Sequence, residues 1–145
     1  ELGTVMIKVE KTADARFSVK EIFRHNDFGD HTKPPILYNG YFYAQFSTNS
    51  RRDGLCCMSM EGKVLWKTMR NPLFDKGSMI LADGLILATD GRQTLYLIQP
   101  DPSGFKPLAS AKILDMGQNW GPIALVDGKL LIRDQGKLKC IKVTQ

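Results

Sequence analysis

The sequence predicts an all-β fold assembled from repeated antiparallel sheets, and three observations carry that expectation. The segments Pro35-Ile-Leu-Tyr-Asn-Gly-Tyr-Phe-Tyr, Ser78-Met-Ile-Leu-Ala-Asp-Gly-Leu-Ile-Leu and Pro122-Ile-Ala-Leu-Val-Asp-Gly-Lys-Leu-Leu-Ile align on Gly40, Gly84 and Gly128, with 44 residues between successive glycines. Each glycine follows Asn39, Asp83 or Asp127, and Asn-Gly or Asp-Gly between apolar runs accepts the two positive φ angles of a type I′ hairpin. No apolar i, i+3, i+4, i+7 pattern runs through ten residues, which rejects a helical repeat of the same length.

The elements follow in order. Residues 4–9 and 16–23 read as two strands ahead of the first hairpin, and each hairpin is followed by a third apolar strand, at 55–60, 95–99 and 138–143. Turns at Glu61-Gly62 and Pro102-Ser103-Gly104 lead into fourth strands at 64–69 and 107–113. A repeat of about 40 to 45 residues with four strands is the spacing of β-propeller blades. The expectation is thus a partial β-propeller over residues 1–145, about three and a quarter four-stranded antiparallel blades by that spacing. Residues 1–25 end a truncated blade, 33–70 and 76–115 are complete blades, and 119–145 form a three-stranded last blade. Closed propellers need at least about four blades, so the chain reads as part of a larger ring. It is expected to be completed by the remainder of its own propeller or by a second copy of the chain. The expected core comprises Ile36, Phe42, Cys57, Trp66, Ile80, Ile86, Leu97, Ile123, Leu131 and Ile141.

Composition narrows the function classes. With 43% hydrophobic and 24% charged residues the chain has ordinary globular composition, and its net charge of +5 is dispersed along the sequence. Such a surface points only weakly to nucleic acid, and Arg51-Arg52 reads as a solvated loop tip with no aromatic stacking platform beside it. No run approaches the roughly 20 apolar residues of a membrane span. The chain begins at Glu1 without a basic and apolar leader, and reads as a processed product or an excised piece. Cys56, Cys57 and Cys140 lack C-x-x-C spacing, and strand alternation sends the Cys56 and Cys57 side chains to opposite faces. Buried thiols outside any disulfide are expected.

The segment Cys57-Met-Ser-Met-Glu-Gly-Lys-Val-Leu-Trp resembles the tryptophan-docking motif of quinoprotein propellers, Ala-x-Asp-x-x-x-Gly-x-x-x-Trp, with Cys57 in place of Ala and Ser59 in place of Asp. In that family Gly62 would close the third turn and Trp66 would pack against the next blade, a structural docking role. Residues 96–109, Asn119-Trp-Gly-Pro and 127–134 resemble the C-terminal blades of PQQ-like repeat proteins, a group that includes BamB-like relatives. Leu108 stands where a second docking tryptophan would be. The resemblance implies an extracytoplasmic, periplasmic setting and a bacterial source.

Candidate chemistry concentrates in loops. His25-Asn-Asp-Phe-Gly-Asp-His carries both histidines and two carboxylates, but its spacing fits neither a zinc signature nor a calcium loop, and a solvated connection is expected. In a four-stranded meander the second turn and the interblade connection lie on one side, opposite the Asn-Gly and Asp-Gly hairpins. That loop face would carry Asp30, His31, Asp90, Arg92, Asn119, Trp120, Arg133 and Asp134 as candidate binding residues. Gly-rich phosphate loops, Gly-x-Ser-x-Gly elbows and a nucleophile–base pair are absent. The expected function is a noncatalytic scaffold for protein or ligand binding, with no catalytic residue, metal or cofactor assigned. The competing class is a fragment of a PQQ-dependent oxidoreductase binding PQQ with Ca²⁺, for which Asp90, Asn119 and Arg133 have suitable side chains but no diagnostic motif.

Overall fold

The computed structural model describes residues 3–26, 28–30, 32–47 and 52–143. Thirteen strands and no helix occur among them, in four antiparallel sheets. The first sheet pairs β1 (Thr4–Lys11) with β2 (Phe17–His25). The second runs in order through β3 (Ile36–Tyr38), β4 (Tyr41–Ser47), β5 (Arg52–Ser59) and β6 (Val64–Lys67). The third does the same with β7 (Met79–Ala82), β8 (Leu85–Thr89), β9 (Thr94–Gln99) and β10 (Lys106–Lys112). The last holds β11 (Ala124–Val126), β12 (Lys129–Arg133) and β13 (Leu138–Lys142).

The hairpins form where the dipeptides predict them. Asn39 and Gly40 have φ of 48° and 80°, Asp83 and Gly84 48° and 75°, and Asp127 and Gly128 47° and 66°. Two successive positive φ angles match the right-handed twist of the flanking strands, and Asn, Asp and Gly reach them at least cost.

Three apolar cores join the sheets in sequence. Phe28, Ala44, Phe46, Cys56 and Met58 form one, against which Phe23 packs. Tyr43, Leu55, Cys57, Phe74, Ile86, Ala88 and Ile98 join the second and third sheets. Leu87, Leu114, Ile123, Leu130 and Ile132 join the third and last. Cys56 and Cys57 thus enter different cores, as alternation requires, and burial pushes the Cys57 thiol up to about 11. Cys140 differs from the expectation: it is exposed, on the same face of β13 as Leu138 and Lys142, which no described sheet covers.

Of the expected core, Cys57, Ile86 and Ile123 are buried, and Ile36, Phe42, Trp66, Ile80, Leu97 and Ile141 are half-buried. Leu131 is a correction, being 37% exposed while Leu130 and Ile132 are buried. One repeat earlier, both Ile86 and Leu87 are buried because sheets cover both faces of β8. Only one face of β12 is covered, so Leu130 and Ile132 point inward and Leu131 points out.

The last strands of the first and second sheets each dock on the sheet that follows. Pairing skips one residue in β2, β6 and β10, namely Ile22, Leu65 and Leu108, so each strand carries a β-bulge at the same place. The residue after the bulge is Phe23, Trp66 or Ala109. Phe23 lies over Gly62, in the turn between β5 and β6, where a Cβ would come within 2.8 Å of the ring. With φ of 87° as well, that position admits glycine alone without strain. Trp66 donates its Nε1–H to the Asp101 carbonyl at 2.9 Å and meets the Phe105 ring edge-on, both in the turn between β9 and β10. Register therefore places the counterpart of Trp66 at Ala109 and not at Leu108, which is the bulged residue and is exposed.

Trp66→Ala is expected to lower the unfolding free energy by about 3 kcal/mol, the cost of truncating a large half-buried aromatic. Trp66→Phe should recover most of that loss, since it keeps the ring and removes one hydrogen bond. Urea unfolding followed by far-UV circular dichroism measures both.

Candidate functional site

The loop face is held together by polar contacts between consecutive sheets. Gln45, fully buried at the end of β4, donates Nε2–H to the Thr89 carbonyl at 2.8 Å and accepts the Gly77 N–H at 2.8 Å. Ser47 donates to the Phe74 carbonyl at 2.8 Å, and Ser78 accepts the Ile123 N–H at 3.2 Å. Backbone bonds from Asp75 to Asp90 and from Asn119 to Gly91, both 2.9 Å, close the connection from sheet to sheet. Gln45 was invisible as a site residue in sequence because a single polar residue within an apolar strand carries no motif. Its signal is the amide itself, which can satisfy a donor and an acceptor on the neighbouring sheet at once.

Two of the sequence-predicted acids are turn formers. Asp90 Oδ1 accepts the N–H groups of Arg92 and Thr94 at 2.8 and 3.0 Å. Asp134, one repeat later and buried, accepts from Gly136 and Lys137 at 2.8 Å on Oδ1 and from Asp115 and Met116 at 3.2 and 3.1 Å on Oδ2. The Gly136 N–H and the other backbone donors hold its carboxyl down at about 2. Arg92 and Arg133 are exposed, Arg133 beside Gly121. His31, with Asp27, Asn49 and Arg51, lies outside the described residues. Arg52 departs from the loop-tip expectation: it opens β5, is half-buried, and approaches Asp75 at 3.5 Å.

The remaining candidates come together. Lys33 Nζ donates to the Trp120 carbonyl at 2.6 Å, and Lys76 Nζ stands 4.9 Å from the centre of the Trp120 ring. Within residues 25–31, expected to form a solvated connection, Phe28 and Gly29 are buried, and the Phe28 carbonyl accepts from Thr4 at 2.7 Å. Asp30 Oδ1 accepts the N–H groups of Thr32 and Lys33 at 2.8 and 3.2 Å, while Oδ2 is buried without a hydrogen-bond partner. Burial raises the Asp30 pKa and lowers that of Lys33, the attraction between the two groups opposing both shifts. Next to them Asn119 is 1% exposed, with both polar atoms of its amide unpartnered. Trp120, by contrast, is 41% exposed. The arrangement is an aromatic contact surface flanked by two ammonium groups, above a polar layer spent on joining sheets.

Among the described residues no three His, Cys, Asp or Glu side chains are grouped to hold a metal ion, and no helix is long and apolar enough to cross a membrane. No protein-family model matches the chain, and no curated protein matches it.

Asp30 gives a pH test. A carboxyl whose folded pKa is raised binds more protons in the folded state, so its contribution to stability falls as pH rises from the unfolded pKa through the folded one. Asp30→Asn keeps an acceptor for Thr32 and Lys33 but does not titrate. The stability of the wild type relative to Asp30→Asn is expected to decline as pH rises from about 4 toward neutrality, read from thermal midpoints of the two proteins across that range.

Proposed function

We propose that the chain is part of a β-propeller of the PQQ-like repeat type and serves as a noncatalytic binding scaffold, presenting its loop face to another protein. The observation that carries this reading is the division of labour on that face. Asp90 and Asp134 are committed to turns, Gln45 and Ser47 to joining sheets, and Trp120 with Lys33 and Lys76 is what the face offers outward. A half-exposed tryptophan between cations fits the chemistry of a protein contact, where aromatic residues anchor binding and charge steers encounter. The resemblance of residues 57–66 to the docking motif supports an extracytoplasmic bacterial protein, and completion of the ring by further propeller sequence or by a second copy belongs to the same proposal.

The oxidoreductase alternative would draw on Asp90, Asn119 and Arg133 for PQQ and Ca²⁺. Here Asp90 Oδ1 is occupied by two backbone donors, Asn119 is buried, and Arg133 points from an exposed strand end. Cys56 and Cys57 face different cores, which does not suit a vicinal disulfide laid over a cofactor.

Two measurements test the reading together. Calorimetric titration of the chain with PQQ and Ca²⁺ is expected to give no saturable heat; 1:1 binding at about micromolar affinity would support the oxidoreductase instead. A photo-crosslinking residue at position 120 should give a discrete protein adduct in a periplasmic extract, and the same residue at Asp83, on the opposite hairpin side, should not. Equal labelling from both positions would contradict a loop-face partner.

A further inference from the structure

Three cations from separate parts of the chain gather on the dipeptide Trp120-Gly121. Lys33, in the connection from the first sheet to the second, donates from Nζ to the Trp120 carbonyl at 2.6 Å. Lys76, in the connection from the second sheet to the third, holds its Nζ 4.9 Å from the centre of the Trp120 ring. Arg133, at the end of β12, brings its Nε within 3.2 Å of the point where a Cβ on Gly121 would stand. Lys76 and Trp120 lie one repeat of 44 residues apart, so they hold equivalent places in successive connections. Each of these connections runs between two described sheets, and the gathering of charge owes nothing to an open edge.

Charge is unbalanced at this point. Lys33 is engaged within the chain, for it also reaches Thr32 Oγ1 at 3.2 Å and feels the attraction of Asp30. The other described carboxylates of the face are turned to internal use. Asp75 pairs with Arg52 at 3.5 Å, Asp90 accepts from the Arg92 and Thr94 backbone, and Asp134 accepts from four backbone N–H groups. Among the described residues no carboxylate pairs with Lys76 or Arg133. Cations gathered without a counter-charge repel one another, and an arriving anion relieves that repulsion.

We propose that this site receives an acidic segment of a partner protein: carboxylates of the segment pair with Lys76 and Arg133, and an apolar side chain beside them lies on the exposed part of the Trp120 ring. The proposal rests on the binding-scaffold reading and deepens it by naming the chemistry of the partner. Trp120 is 41% exposed, which leaves enough ring to anchor one side chain. Aromatic anchors and arginines are the residues that carry protein interfaces. The two outward cations divide the work. The planar guanidinium of Arg133 matches a carboxylate with two parallel hydrogen bonds, while the Lys76 ammonium acts as a point charge that steers approach. A nucleic acid fits less well. Sites that follow a phosphate backbone use a run of cations and successive stacking rings, whereas these cations converge on a single ring.

The test uses the whole chain and a fluorescent peptide, Gly-Glu-Glu-Phe-Glu-Glu-Gly, beside a second peptide with Gln in place of every Glu. Saturable binding of the acidic peptide at about 0.1 mM or tighter is expected at low salt, with the Gln peptide weaker by about tenfold. Raising salt from about 0.05 M to about 0.5 M should weaken the acidic peptide, because exposed ion pairs are screened. Lys76→Glu and Arg133→Glu should each weaken it by about tenfold. Lys129→Glu makes the same change in net charge at the opposite end of β12 and should leave affinity within about twofold. Lys76→Gln and Arg133→Gln remove each charge without reversing it and should show the same order with smaller losses. Trp120→Ala should weaken binding at both salt concentrations. Absence of saturable binding, equal binding of the two peptides, equal effects of Lys76→Glu and Lys129→Glu, or tighter binding of a thymidine octanucleotide overturns the proposal. Crosslinking from position 120 is read independently. Protein adducts without acidic-peptide binding retain the scaffold reading and overturn the acidic partner, whereas loss of both overturns the two together.

Discussion

The structure depends on one recurring contact: a side chain placed after a bulge in the last strand of one sheet, Phe23 or Trp66, rests on the last turn of the next. Each sheet alone is a thin meander, and such a sheet is stable only when it buries an apolar face against another element. Phe23 on Gly62 and Trp66 on Asp101 and Phe105 fix the order in which those faces meet. The bulge matters because it shifts the phase of the strand by one residue, turning the docking residue toward the following sheet while Val64 stays with the preceding one. Buried polar side chains add direction. Apolar faces could slide over one another, but Gln45 finds both of its partners, Thr89 of β8 and Gly77 just ahead of β7, in one alignment only.

The same contact explains where the architecture weakens. The first sheet exposes Ile7, Val9, Phe17 and Val19, and the last exposes Leu131 and Leu138, because each has one sheet against it among the described residues. Open edges and uncovered apolar faces are templates for association. The exposed apolar residues of the first and last sheets therefore have one physical source, a face that no other described sheet covers. The loop face is different in kind: its polar groups are mostly satisfied within the chain, and what it exposes is one aromatic ring, Trp120, with Lys33 and Lys76 beside it.

Local chemistry was legible in the sequence, and phase was not. The dipeptides ending in Gly40, Gly84 and Gly128 announce their turns because few residues adopt successive positive φ angles, and the repeat of these turns gives the sheets. Trp66 and Gly62 could be read from a motif. Counting four residues on from Gly104 lands on the bulged Leu108, however, since the bulge lies four residues after Gly104 and only three after Gly62. Phe23 has no motif at all, and only its place after the first bulge identifies it. Leu131 was misjudged for a related reason: apolar composition marks a residue fit for burial, but exposure depends on whether a further sheet covers that face. Asp90, Asp134 and Asn119 were legible as loop residues, and their roles in turns and at a buried junction required coordinates.

The central claim is that Trp66 joins the second sheet to the third through the turn that carries Phe105. A double-mutant cycle on Trp66→Ala and Phe105→Ala, read by urea unfolding, measures that junction directly. Direct packing predicts a coupling of about 0.5–1.5 kcal/mol beyond the sum of the single changes. Additivity within about 0.3 kcal/mol would mean that the two residues act independently, and the docking account would be contradicted.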